Sequence, residues 1–400
     1  MNRSKRCKKT VLFQVPYVDP STPAAVNVWV KNIAKAFAIA NFKPTIQYLS
    51  KNRFSSFFLD GVQFFSMSFP FTSIMKTPKL RAVFLPVIQD YYLEKFGKYY
   101  SIIAPMGGVV SNEREARKNE AIQRNGARHL LPILEHPSVT NHKFNETTSN
   151  FRQIANGYDY LMPITTYLRD LFIEHGRTKP SLLNPIIVDT KAIQVSAFPT
   201  SQPIKNLVYS GNLGHEEEMH ILLDMFVLVQ KELPDMKLHV LGGGSTPRVT
   251  KNILQKYKEH YSKTKAFSNI TFHGQISHSE VIQQYRMADA FVLPRPFREY
   301  SRAGFPTKLG EYLATGKPVI TTGTGDIPIY LSDLQSAYLV MDSTASSFAE
   351  KTVQAITDSS AREIGLMGAK VAQDHFSIEA SAKRIGSFLG EYYDEYFDNN

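Results

Sequence analysis

"MKLHVLGGGSTPRVTKNILQKYKEHYSKTKAFSNITFHG", Met236 to Gly274, decides the fold. An apolar run closes on three glycines, a segment with apolar residues at helical spacing follows, and a short β-type run "NITFHG" ends the stretch. Strand, helix and strand in succession read as a βαβ unit, which requires two parallel strands and a crossover helix.

The alternation continues on both sides. Before it come the strand "KNLVYSG" and the helix "EEMHILLDMFVLVQKEL"; after it come "SHSEVIQQYRMA", "DAFVLP", "TKLGEYLATG", "PVITTG" and "SAYLVM". A second series opens the chain: strand "TVLFQV", helix "AAVNVWVKNIAKAFAIAN", strand "PTIQYL". Later strands are expected at "YYSIIAP", "ARHLLPIL", "YDYLMPI" and "LLNPIIV", with helices at "NEREARKNEAIQRNG", "KFNETTSNFRQIANG" and "TTYLRDLFIEHG" between them. Between Phe54 and Leu93 strands and short helices are mixed, and helices are expected over Ala345–Ile356 and from Ile364 to the end. The polar, proline-bearing stretch "DTKAIQVSAFPTSQPI" separates the two series.

The expectation is an α/β protein of two doubly wound Rossmann-like domains facing across a cleft. Their bounds are 1–190 for an acceptor-side domain, 191–204 for a linker and 205–375 for a donor-binding domain. Residues 376–400 form an aromatic, amphipathic helix that packs back on the first domain. Length agrees, since 400 residues suit two domains.

Composition narrows the classes. Hydrophobic residues make up 43% and charged residues 20%, which is ordinary for a globular chain. The one cysteine, Cys7, excludes a disulfide framework and a cysteine metal site. The apolar run after the basic start is too short for a signal peptide, and no run is long enough to span a bilayer, so a cytoplasmic location is expected. The net charge of +10 is uneven: residues 1–200 hold 26 Lys and Arg against 13 Asp and Glu, and the second half holds 20 against 23. With seven phenylalanines between basic clusters over 51–81, the first half suits either an ordinary core or a peripheral anionic membrane surface. No helix-turn-helix, zinc-finger or RNP-type pattern is present, so nucleic acid is not an expected partner.

Several residues stand where chemistry is done in such folds. Glycines after strands, Gly211 in "YSGNLG" beside Asn212 and Gly243 in "LGGGSTPRV", either make tight turns or let backbone amides meet an anion. They do not match Gly-x-Gly-x-x-Gly, and the first βα junction "QVPYVDPSTPAAV" has no glycine, which disfavours a dinucleotide cofactor. In "FPTKLGEYLATG", Thr307 and Lys308 offer free helix-terminal amides and an ammonium suited to a diphosphate. Glu311 lies at i+3 from Lys308, either as an acceptor for two vicinal ribose hydroxyls or as a surface ion pair. Glu135 and His136 follow a strand of the first domain, where an acceptor-facing group or a structural histidine fits. Asp19, in the loop after the first strand, is either an acceptor contact or part of a Pro-Ser-Thr turn.

The runs "NLVYSGNLG", "MKLHVLGGG", "NITFHGQIS", "ADAFVLPRP" and above all "FPTKLGEYLATGKPVITT" resemble the second domain of family 4 glycosyltransferases of the GT-B fold. The resemblance covers most of the second domain and little of the first. It implies retaining transfer of a sugar from a UDP- or GDP-linked donor to a carbohydrate or lipid-linked acceptor, in surface-polysaccharide or glycolipid synthesis. No cofactor or metal is implied. It places Glu311 as the second glutamate of a Glu-x7-Glu pair, on the donor ribose.

The departures are specific. Ala303 stands at the first glutamate, making Glu299 the candidate replacement, and "GNLGHEEEM" lacks the family's diphosphate-binding Arg and Lys. Arg295 and Lys308 are the cations placed to neutralise the diphosphate instead. These departures favour one alternative, a degenerate binding subunit without catalysis; a second, a nucleotide-sugar 2-epimerase of the same fold, would act on the donor with no acceptor.

Overall fold

The computed structural model describes residues 9–15, 25–50, 56–68, 90–91, 93–105, 120–137, 148–193, 204–244 and 246–392. The chain divides into two compact units, one of residues 1–187 with 378–400 and one of residues 188–377.

The first unit is built on a seven-stranded sheet. Its strands are β1 (Thr10–Val15), β2 (Lys43–Ser50), β3 (Ser56–Leu59), β4 (Val62–Ser68), β5 (Ile102–Pro105), β6 (Arg128–Ile133) and β7 (Tyr160–Pro163), in the order β3-β4-β2-β1-β5-β6-β7. All neighbours are parallel except the β3–β4 hairpin, which turns through Asp60 and Gly61 at positive φ. Apolar spacing in the helix Ala25–Ile39 puts Trp29, Val30, Ile33, Ala34 and Phe37 on one buried face over the sheet. The final helix Ile378–Tyr392 closes the same core with Ile385, Phe388 and Leu389, and the Phe388 ring meets Tyr160 edge-on at 5.5 Å. Of the phenylalanine-rich stretch 51–81, only residues 56–68 are described; there Phe57, Phe58 and Leu59 are exposed on the edge strand.

The second unit has six parallel strands: β8 (Asn206–Ser210), β9 (Lys237–Leu241), β10 (Ile270–Gly274), β11 (Ala290–Leu293), β12 (Val319–Thr322) and β13 (Tyr338–Val340). Their order is β10-β9-β8-β11-β12-β13. The deciding stretch is therefore β9, the helix Pro247–Tyr261 and β10, with parallel pairing of Leu238 to Ile270. Thr246 caps that helix by accepting from the Val249 amide, and Pro247 occupies the first turn, where its missing N–H is harmless.

Two expectations need correction. "LLNPIIV" is not a strand: its backbone is irregular apart from a single bridge at Val188, with another at Ser181 just before it. Pro185 has no N–H for a ladder, and the Asn184 side chain is held by Ser381 and Arg384 of the final helix, at 3.1 and 3.0 Å. The C-terminal helix is not continuous either. The helix Ala361–Val371 passes into a π-turn over Ala372–Phe376, and Ser377 is extended and bridged to Val188 before the last helix begins. Most of the proposed linker, residues 194–203, lies outside the described residues. Among the described residues no helix is long and apolar enough to cross a membrane.

Candidate functional site

Strand order locates a site before any residue is considered. In the second unit the chain runs from β8 outward to β10, then returns to β11 on the other side of β8 and runs outward to β13. Crossovers leave this switch point in opposite directions, so the carboxyl ends of β8 and β11 have a crevice between them, where open α/β sheets bind ligands. Gly211 and Asn212 follow β8, and Arg295 follows β11. The corresponding switch in the first unit lies between β1 and β5; Asp19, in the loop after β1, falls outside the described residues.

The glycines around β8 and β9 are explained by sterics. Gly242 has φ +122, and a Cβ there would overlap the Gly211 carbonyl oxygen. A Cβ at Gly243 would lie 2.6 Å from Thr250 Oγ1, and the Gly244 amide donates to that same hydroxyl at 2.9 Å. The two loops lie against each other, with the Gly211 amide donating to Leu241 O at 3.0 Å. Asn212 closes its own turn by accepting from the Gly214 amide at 2.9 Å.

Glu311 is in the helix Thr307–Ala314, preceded by Pro306 as N-cap. Its Oε2 accepts from Lys308 Nζ at 2.9 Å and from Tyr285 OH at 2.9 Å; among the described residues nothing hydrogen-bonds to Oε1. The i,i+3 ion pair expected from spacing is therefore present, and the carboxylate is half-buried with one oxygen still able to accept. Tyr312, the next residue, turns inward: its hydroxyl meets the Ser210 amide at 2.6 Å and its ring stacks on Phe291 at 4.3 Å. That contact ties the helix of Glu311 to the end of β8. No side chain caps the helix, so the Thr307 and Lys308 amides are available to an anion.

Arg295 and the residues before it show how the cations are held. The Arg295 amide and carbonyl both bond Thr322 Oγ1, at 2.9 and 2.7 Å, which fixes the segment to β12. Its charge acts on Glu218, a buried residue whose carboxylate accepts from Tyr209 OH at 3.0 Å. Burial raises the Glu218 pKa, and Arg295, Tyr209 and His215 pull it back. Arg298 forks onto Glu217 through Nε at 3.1 and 3.2 Å, on an exposed surface. Glu217 and Glu218 thus meet the arginines after β11. Sequence reasoning missed these pairings because they join residues some eighty positions apart.

Glu299 is exposed in the first turn of the short helix Glu299–Ala303, and Ala303 is buried at its other end. In the first unit, Glu135 is exposed just beyond β6 while His136 is buried against the Phe151 ring at 5.9 Å. These two belong to a different compact unit from Glu311.

The fold of the two parallel-sheet units is that of the GT-B glycosyltransferases. Sucrose-phosphate synthase from Thermosynechococcus elongatus superposes with a TM-score of 0.69 at 16% identity, covering 98% of this chain and 100% of that one. The Anabaena protein HepE, solved with UDP and separately with UDP-glucose, superposes with a TM-score of 0.68 in the UDP complex, at 12% identity, over 96% of this chain and all of that one.

Residues 204–358 match the family described as "Glycosyl transferases group 1", which places that domain on the second unit. Spore coat protein SA of Bacillus subtilis (strain 168) is 24% identical over 186 residues, 45% of this chain. The matched part spans about half of that relative, 47% of its length.

Proposed function

We propose that the chain is a retaining glycosyltransferase that takes a sugar from a UDP- or GDP-linked donor to a carbohydrate or lipid-linked acceptor. Surface-polysaccharide or glycolipid synthesis is the setting that suits it. The observation that carries this reading is Glu311: a carboxylate beside a switch point, held through one oxygen and open at the other, next to uncapped helix amides and a lysine. Such a group accepts from vicinal ribose hydroxyls, while the Thr307 and Lys308 amides, Lys308 Nζ and Arg295 receive the diphosphate. Of the structural neighbours, HepE was solved with UDP and with UDP-glucose.

In this reaction the bond from the anomeric carbon to the diphosphate oxygen breaks and the acceptor hydroxyl oxygen bonds to the same face. The hydroxyl proton passes to the departing phosphate oxygen. Charge on the leaving group is met by fixed cations and amides, so neither a protein nucleophile nor a metal is called for. Glu299, His136, Glu135 and Asp19 are the groups proposed for the sugar and acceptor.

A second reading has its own observation. Arg298 is paired with Glu217 and Arg295 acts on Glu218, which weakens the field for a diphosphate and favours a binding subunit without catalysis. One experiment separates the readings: incubation with UDP- and GDP-sugars, with and without glycan or lipid-linked acceptors, followed by NMR of any new linkage. Retained configuration in an acceptor product is expected. Inversion overturns the mechanism, an isomerised or hydrolysed donor without acceptor points to an epimerase, and nucleotide binding without turnover points to the binding subunit.

A further inference from the structure

Glu311 needs a fixed orientation to offer one oxygen to a ligand, and its two partners differ in how well they can provide it. Lys308 reaches Oε2 on a flexible four-carbon stem that is about a third exposed, 30% by side-chain area. Tyr285, on the helix His278–Met287, reaches the same oxygen from a fully buried ring. That ring meets Phe291 edge-on at 5.3 Å and Tyr312 edge-on at 5.5 Å, so its hydroxyl has one direction in which to point. The backbone carbonyl of Tyr285 is held as well, by the buried Lys317 ammonium at 2.9 Å.

Burial, and after it the Glu311 charge, raise the Tyr285 phenol well above its ordinary pKa, so it stays an O–H donor. A buried O–H donor held by its ring packing on Oε2 leaves Oε1 as the oxygen that can still accept.

We propose that Tyr285 is a positioning residue for nucleotide recognition: its hydroxyl aims the Glu311 carboxylate at the ribose of the donor. This rests on the reading of Glu311 as the ribose ligand. It adds a residue twenty-six positions away on another helix, which touches no ligand itself.

The test compares UDP with 2′,3′-dideoxy-UDP by calorimetry, with GDP and its dideoxy analogue run alongside, on the full chain and on Tyr285→Phe. Phenylalanine keeps the ring packing and removes only the hydroxyl. The wild-type chain should prefer the ribonucleotide, and Tyr285→Phe should lower that preference about five- to tenfold while leaving the dideoxy affinity unchanged. Glu311→Ala should abolish the preference. If Tyr285→Phe weakens both nucleotides equally, its effect is on the fold and the proposal fails; if it changes neither, Lys308 alone suffices and the proposal also fails. A wild-type chain that does not distinguish the two nucleotides, or binds neither, overturns the ribose reading of Glu311 and the proposal with it.

Discussion

Among single residues, Glu218 presents the sharpest conflict between burial and charge. Its surroundings favour the neutral acid: burial is the largest influence and raises its pKa, with Arg295 opposing. The stability this contributes is complete below the unfolded carboxylate pKa and is lost as pH rises through the raised folded value, because above it the folded state must hold a buried charge. Glu218→Gln keeps an acceptor for the Tyr209 hydroxyl and removes that charge. It should therefore melt higher than wild type at about pH 7.5 and show no gain at about pH 4. Thermal melts at the two pH values check this. A variant that is less stable at neutral pH would show that attraction to Arg295 outweighs burial.

At the scale of elements, the loops after β8 and β9 require glycine for a steric reason. Gly242 combines a φ of +122 with an amide that donates to Gly274 O at 2.9 Å and no room for a Cβ. Gly242→Ala should cost about 3 kcal/mol or more by denaturant unfolding, from backbone strain and overlap together. Gly390, in the last helix with nothing near its missing Cβ, is the control; alanine there should be neutral or stabilise by up to about 1 kcal/mol.

The strands and helices around these glycines are legible in the sequence because each is marked by its own period and end signals. The i,i+3 spacing of Lys308 and Glu311 is legible for the same reason. What escapes is set by distance along the chain. Tyr285 is an apolar-face residue of its helix until Glu311 is brought beside it, and Glu218 reads as one of three surface acids until Tyr209 and Arg295 enclose it. The apolar run "LLNPIIV" looks like a strand because it is buried, and periodicity alone does not reveal that the last helix buries it.

Over the whole molecule, the chain is not divided once but twice: it leaves the first unit at Ile187 and re-enters it at Ile378. The core of the first unit therefore depends on its last residues. Trp29, Val30 and Ile33 of the first helix share one buried cluster with Ile378, Ala382, Ile385, Phe388 and Leu389. Packing of sequence ends keeps that unit from being complete until the final helix has been made, and it makes the helix a probe of one unit alone. Ile385 is fully buried, so Ile385→Ala removes apolar area and leaves a cavity at an estimated cost of about 2–5 kcal/mol. Hydrogen exchange followed by mass spectrometry should show faster exchange in β1, β2 and the helix Ala25–Ile39. Amides of β8, β9 and β11 should keep their wild-type protection, since no residue of that sheet belongs to the cluster. Equal loss of protection in both sheets would mean that the two units unfold as one, and that the division of the chain has no energetic counterpart.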